Sequence, residues 1–344
     1  MYRKIMSFLE AWKESSHRKP LILQGARQVG KTYSILEFGR THYENVAYFN
    51  FETNPKLNET FNENISPDYL IPILSHIAGQ TIVKEKTLIV FDEVQLCERA
   101  LTSLKYFCED APDYHIIVAG SLLGVAVNRA KFSFPVGKVD MKTLYPMDME
   151  EFMLALGEDA LVKKIKNCFT DNSPMPSALH DAAMQLYRQY LIIGGMPECV
   201  MQFAETKDYI LVRHTQDTIL ASYLNDMSKY NNLNEIKKTR LAYDNITVQL
   251  SKKNTRFQYK LIKKGGRASE FENAIEWLCL SGIVSQVYRA EQIKKPLENY
   301  RDIDAFKIYV SDLGLLCAKK DLAANDILYM VEELNDFKGG MTEN

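Results

Sequence analysis

The sequence predicts an α/β chain built on a parallel sheet, and three observations predict it. Residues Gly25-Ala26-Arg27-Gln28-Val29-Gly30-Lys31-Thr32 fit G-x-x-x-x-G-K-T, between a short apolar run, Leu21–Leu23, and a helix-like stretch, Tyr33–Phe38. A second apolar run, Leu88–Phe91, ends in Asp92-Glu93, and a third, Ile116–Ala119, ends in Gly120-Ser121. Continuous apolar runs of this length, alternating with helical patterns, are what strands buried on both faces of a parallel sheet require.

The first element, about residues 3–14, places Ile5, Phe8, Leu9 and Trp12 at helical spacing, so one stripe is expected to pack on the core. Leu21–Leu23 reads as the strand that feeds the loop 25–32. Glycines let such a loop wrap so that successive backbone N–H groups face an anion. The helix that follows adds its positive N-terminal end. All eight residues, Gly25, Ala26, Arg27, Gln28, Val29, Gly30, Lys31 and Thr32, are therefore candidate phosphate-binding residues. Lys31 would reach the β- and γ-phosphates, and Thr32 would ligate Mg²⁺.

Val46–Glu52 reads as a strand, with a turn at Thr53-Asn54-Pro55 and a helix near 67–79. The strand 87–93 then ends in the Walker B pattern. Its carboxyl end is where open α/β sheets place ligands. Asp92 would hold Mg²⁺, and Glu93 would polarise the attacking water. The bland alternative, a pair of carboxylates that merely ends a strand at the surface, loses to the spacing from the loop. A helix is expected from Val94 to about Cys108. Ser121, at the end of the next strand, is a candidate γ-phosphate sensor, or else a helix cap. Residues 136–144 alternate like an edge strand, and Asp148–Phe152 opens a helix with acids in its first turn.

Beyond the core, 157–180 is polar, with a loop at Asp171–Pro176. A helix through Ala182–Tyr190 is interrupted by Gly194-Gly195-Met196-Pro197, and Pro197 starts the next helix. A long helix spans about 206–230. Residues 235–268 hold ten basic residues against two acids, a local charge of +8 in a chain of net charge −2. Two short helical patterns there are followed by a third, Ser269–Ser281. Two strands, Ile283–Tyr288 and Phe306–Val310, flank a long charged loop. Three helices plus such a hairpin form the winged-helix pattern. The basic stretch fits either phosphate contacts with double-stranded DNA or a solvated face on a protein-contact module.

The bulk numbers exclude other classes. An apolar fraction of 46% supports packed cores, and the net charge rules out a nucleic-acid signature for the chain as a whole. The six cysteines are scattered without a C-x-x-C pair, and the six histidines are dispersed, so no metal is expected beyond nucleotide-bound Mg²⁺. No stretch resembles a signal peptide or a bilayer span, so the protein is read as cytoplasmic, with no membrane partner.

The loop 25–32 with Gln28-Val29 inside it, Asp92-Glu93-Val94-Gln95, Gly120–Gly124 and Leu144-Tyr145-Pro146 leading to Glu150-Glu151-Phe152 resemble one family. So do Gly194–Pro197 and Tyr309–Leu315. The family is the uncharacterised prokaryotic AAA+ ATPases with a C-terminal domain of unknown function, related to the archaeal-type ATPases. The resemblance implies an ATPase core (1–148), a helical lid (149–230), a winged-helix module (231–316) and the start of a further region (317–344). In many members a nuclease-like domain follows, and the chain stops at the doorstep of it, which reads as a partial chain. The resemblance also implies that Pro197 sits against the adenine of ATP. Lys138 stands where many relatives have an arginine, so no arginine finger is assigned there; Arg129 is a guess.

The leading expectation is an ATP-binding and ATP-hydrolysing AAA+-type protein whose nucleotide state moves the winged helix against DNA or a protein partner, a second copy of the chain included. The alternative is a slow nucleotide-dependent switch or scaffold. A small-molecule kinase shares the P-loop but not the Asp-Glu strand end or the large C-terminal half.

Overall fold

A computed structural model of the chain describes residues 1–125, 134–229, 233–251, 256–329 and 335–344; Arg129 lies outside them. The chain divides into two compact units, Tyr2–Tyr145 and Pro146–Asn344, the latter joined by Met1.

The first unit is a five-stranded sheet in the order β2-β3-β4-β1-β5, with every pairing parallel. The strands are β1 (Leu21–Gln24), β2 (Asn45–Asn50), β3 (Thr87–Asp92), β4 (His115–Ala119) and β5 (Asp140–Thr143). All residues of β3 and β4 are buried, as continuous apolar runs demand when helices cover both faces. The edge strands β2 and β5 alternate or are polar, because each has a side that faces water. Five helices connect the first four strands or precede them: α1 (Ile5–Glu14), α2 (Lys31–His42), α3 (Leu57–Glu63), α4 (Pro67–Ala78) and α5 (Glu98–Asp110).

The core anchors the carboxyl end of β3. Phe51, Phe61 and Phe91 meet pairwise with ring centroids 5.5–5.9 Å apart. Each such pair adds about 0.5–1.5 kcal/mol beyond burial. Phe91 directly precedes Asp92, so this cluster fixes the backbone that presents the carboxylates. The expected helix from Val94 is instead a single 3₁₀ turn, Val94–Leu96, before α5. Glu93 adopts a left-handed φ of 51°, which breaks the strand and prevents direct entry into a helix.

The second unit opens with α6 (Met149–Ala155), closed by a capping box between Asp148 and Glu151. It continues through α7 (Asp159–Thr170), α8 (Ser177–Ile193), α9 (Pro197–Thr206) and α10 (Tyr209–Lys229). The α7 helix corrects the expectation of a polar connection: Leu161, Val162 and Cys168 form a thin buried stripe on an otherwise charged segment. The two short helical patterns expected after 231 are one long helix, α11 (Leu233–Ser251), and one turn, α12 (Tyr259–Ile262). Then come α13 (Ala268–Leu280) and an antiparallel ladder, β6 (Val284–Ala290) with β7 (Arg301–Val310). Phe257 stacks on Phe306 of β7 at 5.6 Å, tying the segment before α12 to the hairpin.

The Gly194-Gly195 turn between α8 and α9 is fixed by Asp312, which is fully buried. Its carboxylate accepts the Gly195 N–H at 2.6 Å and caps α14 (Leu313–Lys319) through the Leu315 N–H at 2.8 Å. A β-carbon at Gly194 would lie 2.2 Å from Asp312 Oδ1, and one at Gly195 would lie 1.9 Å from the Met147 carbonyl. Both positions therefore admit only glycine, and the motifs 194–197 and 309–315 are two halves of one junction. The chain end returns to the same unit: the Asn344 side chain pairs with both backbone groups of Val310 at 2.8 Å. No helix among the described residues is long and apolar enough to cross a membrane.

Candidate functional site

Because all five strands run parallel, the ends of β1, β3 and β4 lie on one edge of the sheet. The loop 25–32 leaves β1 there. Gly25 (φ 147°), Gln28 (φ 65°) and Gly30 (φ 91°) take left-handed or related backbone conformations that wrap it. Glycine is obligatory at 25, where a β-carbon would sit 2.2 Å from the Leu144 carbonyl. Ala26 and Val29 turn inward and are buried, Arg27 is half-buried and Gln28 is exposed. Gly30 is the N-cap of α2 and offers no side chain to its N–H groups, which leaves them for an anion.

Lys31 is buried, and its ammonium folds back onto the carbonyls of Gly25 (2.9 Å) and Ala26 (2.7 Å). Burial pushes its pKa down to about 8, against the opposing pull of the Glu93 and Asp92 carboxylates. The Thr32 hydroxyl donates to Asp92 Oδ2 at 2.9 Å. Asp92 is itself buried, and its Oδ1 accepts the Glu93 N–H at 3.0 Å. Glu93 accepts from the Gln95 amide and, at 3.3 Å, from the Ser121 hydroxyl.

The fold thus links Thr32, Asp92, Glu93 and Ser121, drawn from three separate stretches of sequence, by hydrogen bonds, with the Lys31 ammonium on the loop carbonyls and within the electrostatic reach of both carboxylates. Pro197 belongs to the second unit, where it occupies the first turn of α9. Among the described residues no group of three or more His, Cys, Asp or Glu side chains is arranged to hold a metal ion. A cation here would take hard oxygens from Thr32 and Asp92 and complete its shell with phosphate and water. That donor set suits Mg²⁺.

Three further participants have no role assigned from the sequence. Tyr48, on β2, donates its phenol to Asp92 Oδ2 at 2.8 Å. Gln95 occupies the space beside Gly120, where a β-carbon would lie 2.1 Å from its Oε1. Arg3 is buried and donates to the carbonyls of Val29 (2.9 Å) and Tyr145 (2.7 Å), so the start of the chain braces the loop from behind. A lone arginine ahead of an amphipathic helix gives no sequence signal of that role.

A family profile described as an AAA domain matches residues 17–153, which span the loop and all five strands. Residues 17–153 carry an AAA domain. A second profile, a domain of unknown function, matches 184–326, so the pairing implied by the sequence resemblance holds. Among solved structures, the ORC2 protein of Aeropyrum pernix in its ADPNP-ADP complexes is 12% identical with a TM-score of 0.45, over 99% of this chain and 95% of that one. The RuvB Holliday junction branch migration motor of Thermotoga maritima is 13% identical with a TM-score of 0.35, over 89% and 90%. The ORC1 protein of Aeropyrum pernix in complex with DNA is 12% identical with a TM-score of 0.33, over 93% and 91%. At such scores these likenesses add nothing to what the sheet order and the family match establish. No curated protein matches the chain.

Proposed function

We propose that this chain is an AAA+ ATPase, which binds ATP at the carboxyl edge of its sheet and hydrolyses it. The observation that carries the proposal is the contact of Thr32 Oγ1 with Asp92 Oδ2 at 2.9 Å, beside the buried ammonium of Lys31. In it, the hydroxyl at the start of α2 and the carboxylate at the end of β3 meet beside the loop 25–32. Backbone N–H groups of 25–32 hold the phosphates. Lys31 exchanges its bonds to two carbonyls for bonds to the β- and γ-phosphates. Mg²⁺ held by Thr32 and Asp92 supplies charge neutralisation on the phosphates. Glu93 takes the proton of the attacking water as its oxygen bonds to the γ-phosphorus and the bond to the bridging oxygen breaks. Ser121 senses the γ-phosphate through the Glu93 carboxylate it already contacts.

We further read α11, α12, α13 and the β6–β7 hairpin as a winged helix whose engagement depends on the nucleotide state. The helix in third position, α13, carries Glu270, Glu272 and Glu276 and no lysine or arginine. Phosphate contacts with DNA would therefore fall to the exposed Lys237, Arg240, Arg256, Lys260, Lys264 and Arg267 rather than to that helix.

One observation favours the second reading, a slow switch: Glu93 is engaged by Gln95 and Ser121, and turnover requires it to leave them. Steady-state hydrolysis of ATP with Mg²⁺, with and without double-stranded DNA, tests both readings. Turnover abolished by Lys31→Ala, and by Glu93→Gln with binding retained, is the expected result. Tight binding with no turnover supports the switch. No nucleotide binding overturns the site.

A further inference from the structure

Tyr48 lies on β2 at the edge of the sheet, and no motif includes it. The pairing of β2 with β3 sets Tyr48 opposite Val90 and Asn50 opposite Asp92. Tyr48 and Asn50, two residues apart, share a face of the strand. Asn50 donates its amide to the Tyr48 phenol oxygen at 3.2 Å, and the phenol gives its single proton to Asp92 Oδ2 at 2.8 Å. Asp92 therefore has every oxygen engaged: Oδ2 by Tyr48 and Thr32, Oδ1 by the Glu93 N–H.

This geometry has a consequence for a cation. A carboxylate held by one bond rotates about its terminal torsion, and its oxygens then have no fixed position. Bonds from α2 and from β2, with the N–H of the adjoining Glu93, fix the plane of Asp92. With Asp92 fixed, the Thr32 proton has a fixed acceptor, and the lone pairs of Thr32 Oγ1 point away from Asp92. Groups that orient ligating residues without touching the metal govern metal affinity by about 10–100-fold.

We propose that Tyr48 is a positioning residue for the divalent cation that accompanies the nucleotide, holding Asp92 so that Asp92 and Thr32 address one ion. This inference rests on the ATP-site reading given above. Tyr48 is 37% exposed, so removing its hydroxyl leaves the ring's packing in place.

The test is Tyr48→Phe in the full chain, compared with wild type and with Asp92→Asn. Three quantities are measured: the thermal midpoint, the affinity for a non-hydrolysable ATP analogue in EDTA, and Mn²⁺ binding in the presence of that analogue by electron paramagnetic resonance. The expected result is an unchanged melting profile, metal-free affinity within about twofold of wild type, and Mn²⁺ affinity weakened about tenfold, less than in Asp92→Asn. Unchanged Mn²⁺ affinity in Tyr48→Phe overturns the inference. So does a loss of metal-free affinity as large as the loss of Mn²⁺ affinity, which marks a structural role for the hydroxyl. If wild type itself shows no metal-dependent binding of the analogue, the ATP-site reading falls and takes the inference with it. That failure is visible in wild type alone.

Discussion

His115 links the first unit to pH. It begins β4, at the opposite edge of the sheet from the loop 25–32, and is 4% exposed. Its Nδ1 meets the Tyr43 hydroxyl at 2.7 Å, while its Nε2 is buried with no partner. Protonation would place a second N–H where nothing accepts it. Burial, reinforced by the nearby cations Arg18 and Lys13, pushes the imidazole pKa down to about 4. The unfolded chain, with a histidine pKa near 6.5, binds that proton first. The first unit should therefore hold its full share of stability above about pH 6.5 and lose it progressively as pH falls toward 4. The loss is on the order of 3 kcal/mol, at about 1.4 kcal/mol per pKa unit. Thermal melts from pH 4.5 to 7.5, followed by the fluorescence of Trp12 in a Trp277→Phe background, should show this slope. His115→Gln, neutral throughout, should flatten it. An equal slope in both proteins would assign the acid sensitivity elsewhere.

At the scale of elements, Asp312 joins three of them. Its carboxylate collects N–H groups from the 194–197 turn and from the start of α14, and burial still raises its pKa to about 6. Asp312→Ala would strand these buried donors, at about 1–3 kcal/mol each. The second unit, followed through Trp277 in a Trp12→Phe background, should lose at least about 3 kcal/mol in urea unfolding. A loss below about 1 kcal/mol would mean that water or a neighbour replaces the carboxylate. The pH sign is opposite to that of His115: the folded pKa lies above the unfolded one, so the share of stability linked to the Asp312 proton is full below about pH 4 and lost as pH rises through 6, while the hydrogen bonds to the carboxylate persist.

Elements also show what was legible in the chain. Strands β1, β3 and β4 were legible because burial on both faces leaves continuous apolar runs. Helix α7 was not, since its buried stripe is three residues wide in a segment rich in lysine. The length of α11 was hidden by buried polar residues, Thr239, Thr247 and Gln249, which interrupt the apolar period. The site divides in the same way. Lys31, Thr32, Asp92 and Glu93 belong to local patterns, whereas Tyr48 enters through the register of two strands distant in sequence, which no local pattern encodes.

For the whole molecule the open variable is the partner of the second unit, and charge decides how to ask. The net charge of −2 conceals a basic stretch that an acidic third helix adjoins in sequence. Lys263 is paired with Glu270 at 3.1 Å, so Lys260, Lys264 and Arg267 are the better reporters. If these three contact phosphates, each releases counterions on binding, and the slope of log K against log salt carries about −0.9 per contact. Replacing all three with alanine should then make the slope for a random-sequence duplex shallower by about 2.7, and should weaken binding most at low salt. The same variant should keep its DNA-independent ATP turnover and lose any stimulation by DNA, because the substitutions lie in the second unit, which does not contain 25–32. An unchanged slope would remove this face from DNA contact. With Glu270, Glu272 and Glu276 on α13, the surface would then carry both signs of charge, which suits a protein partner better than a polyanion.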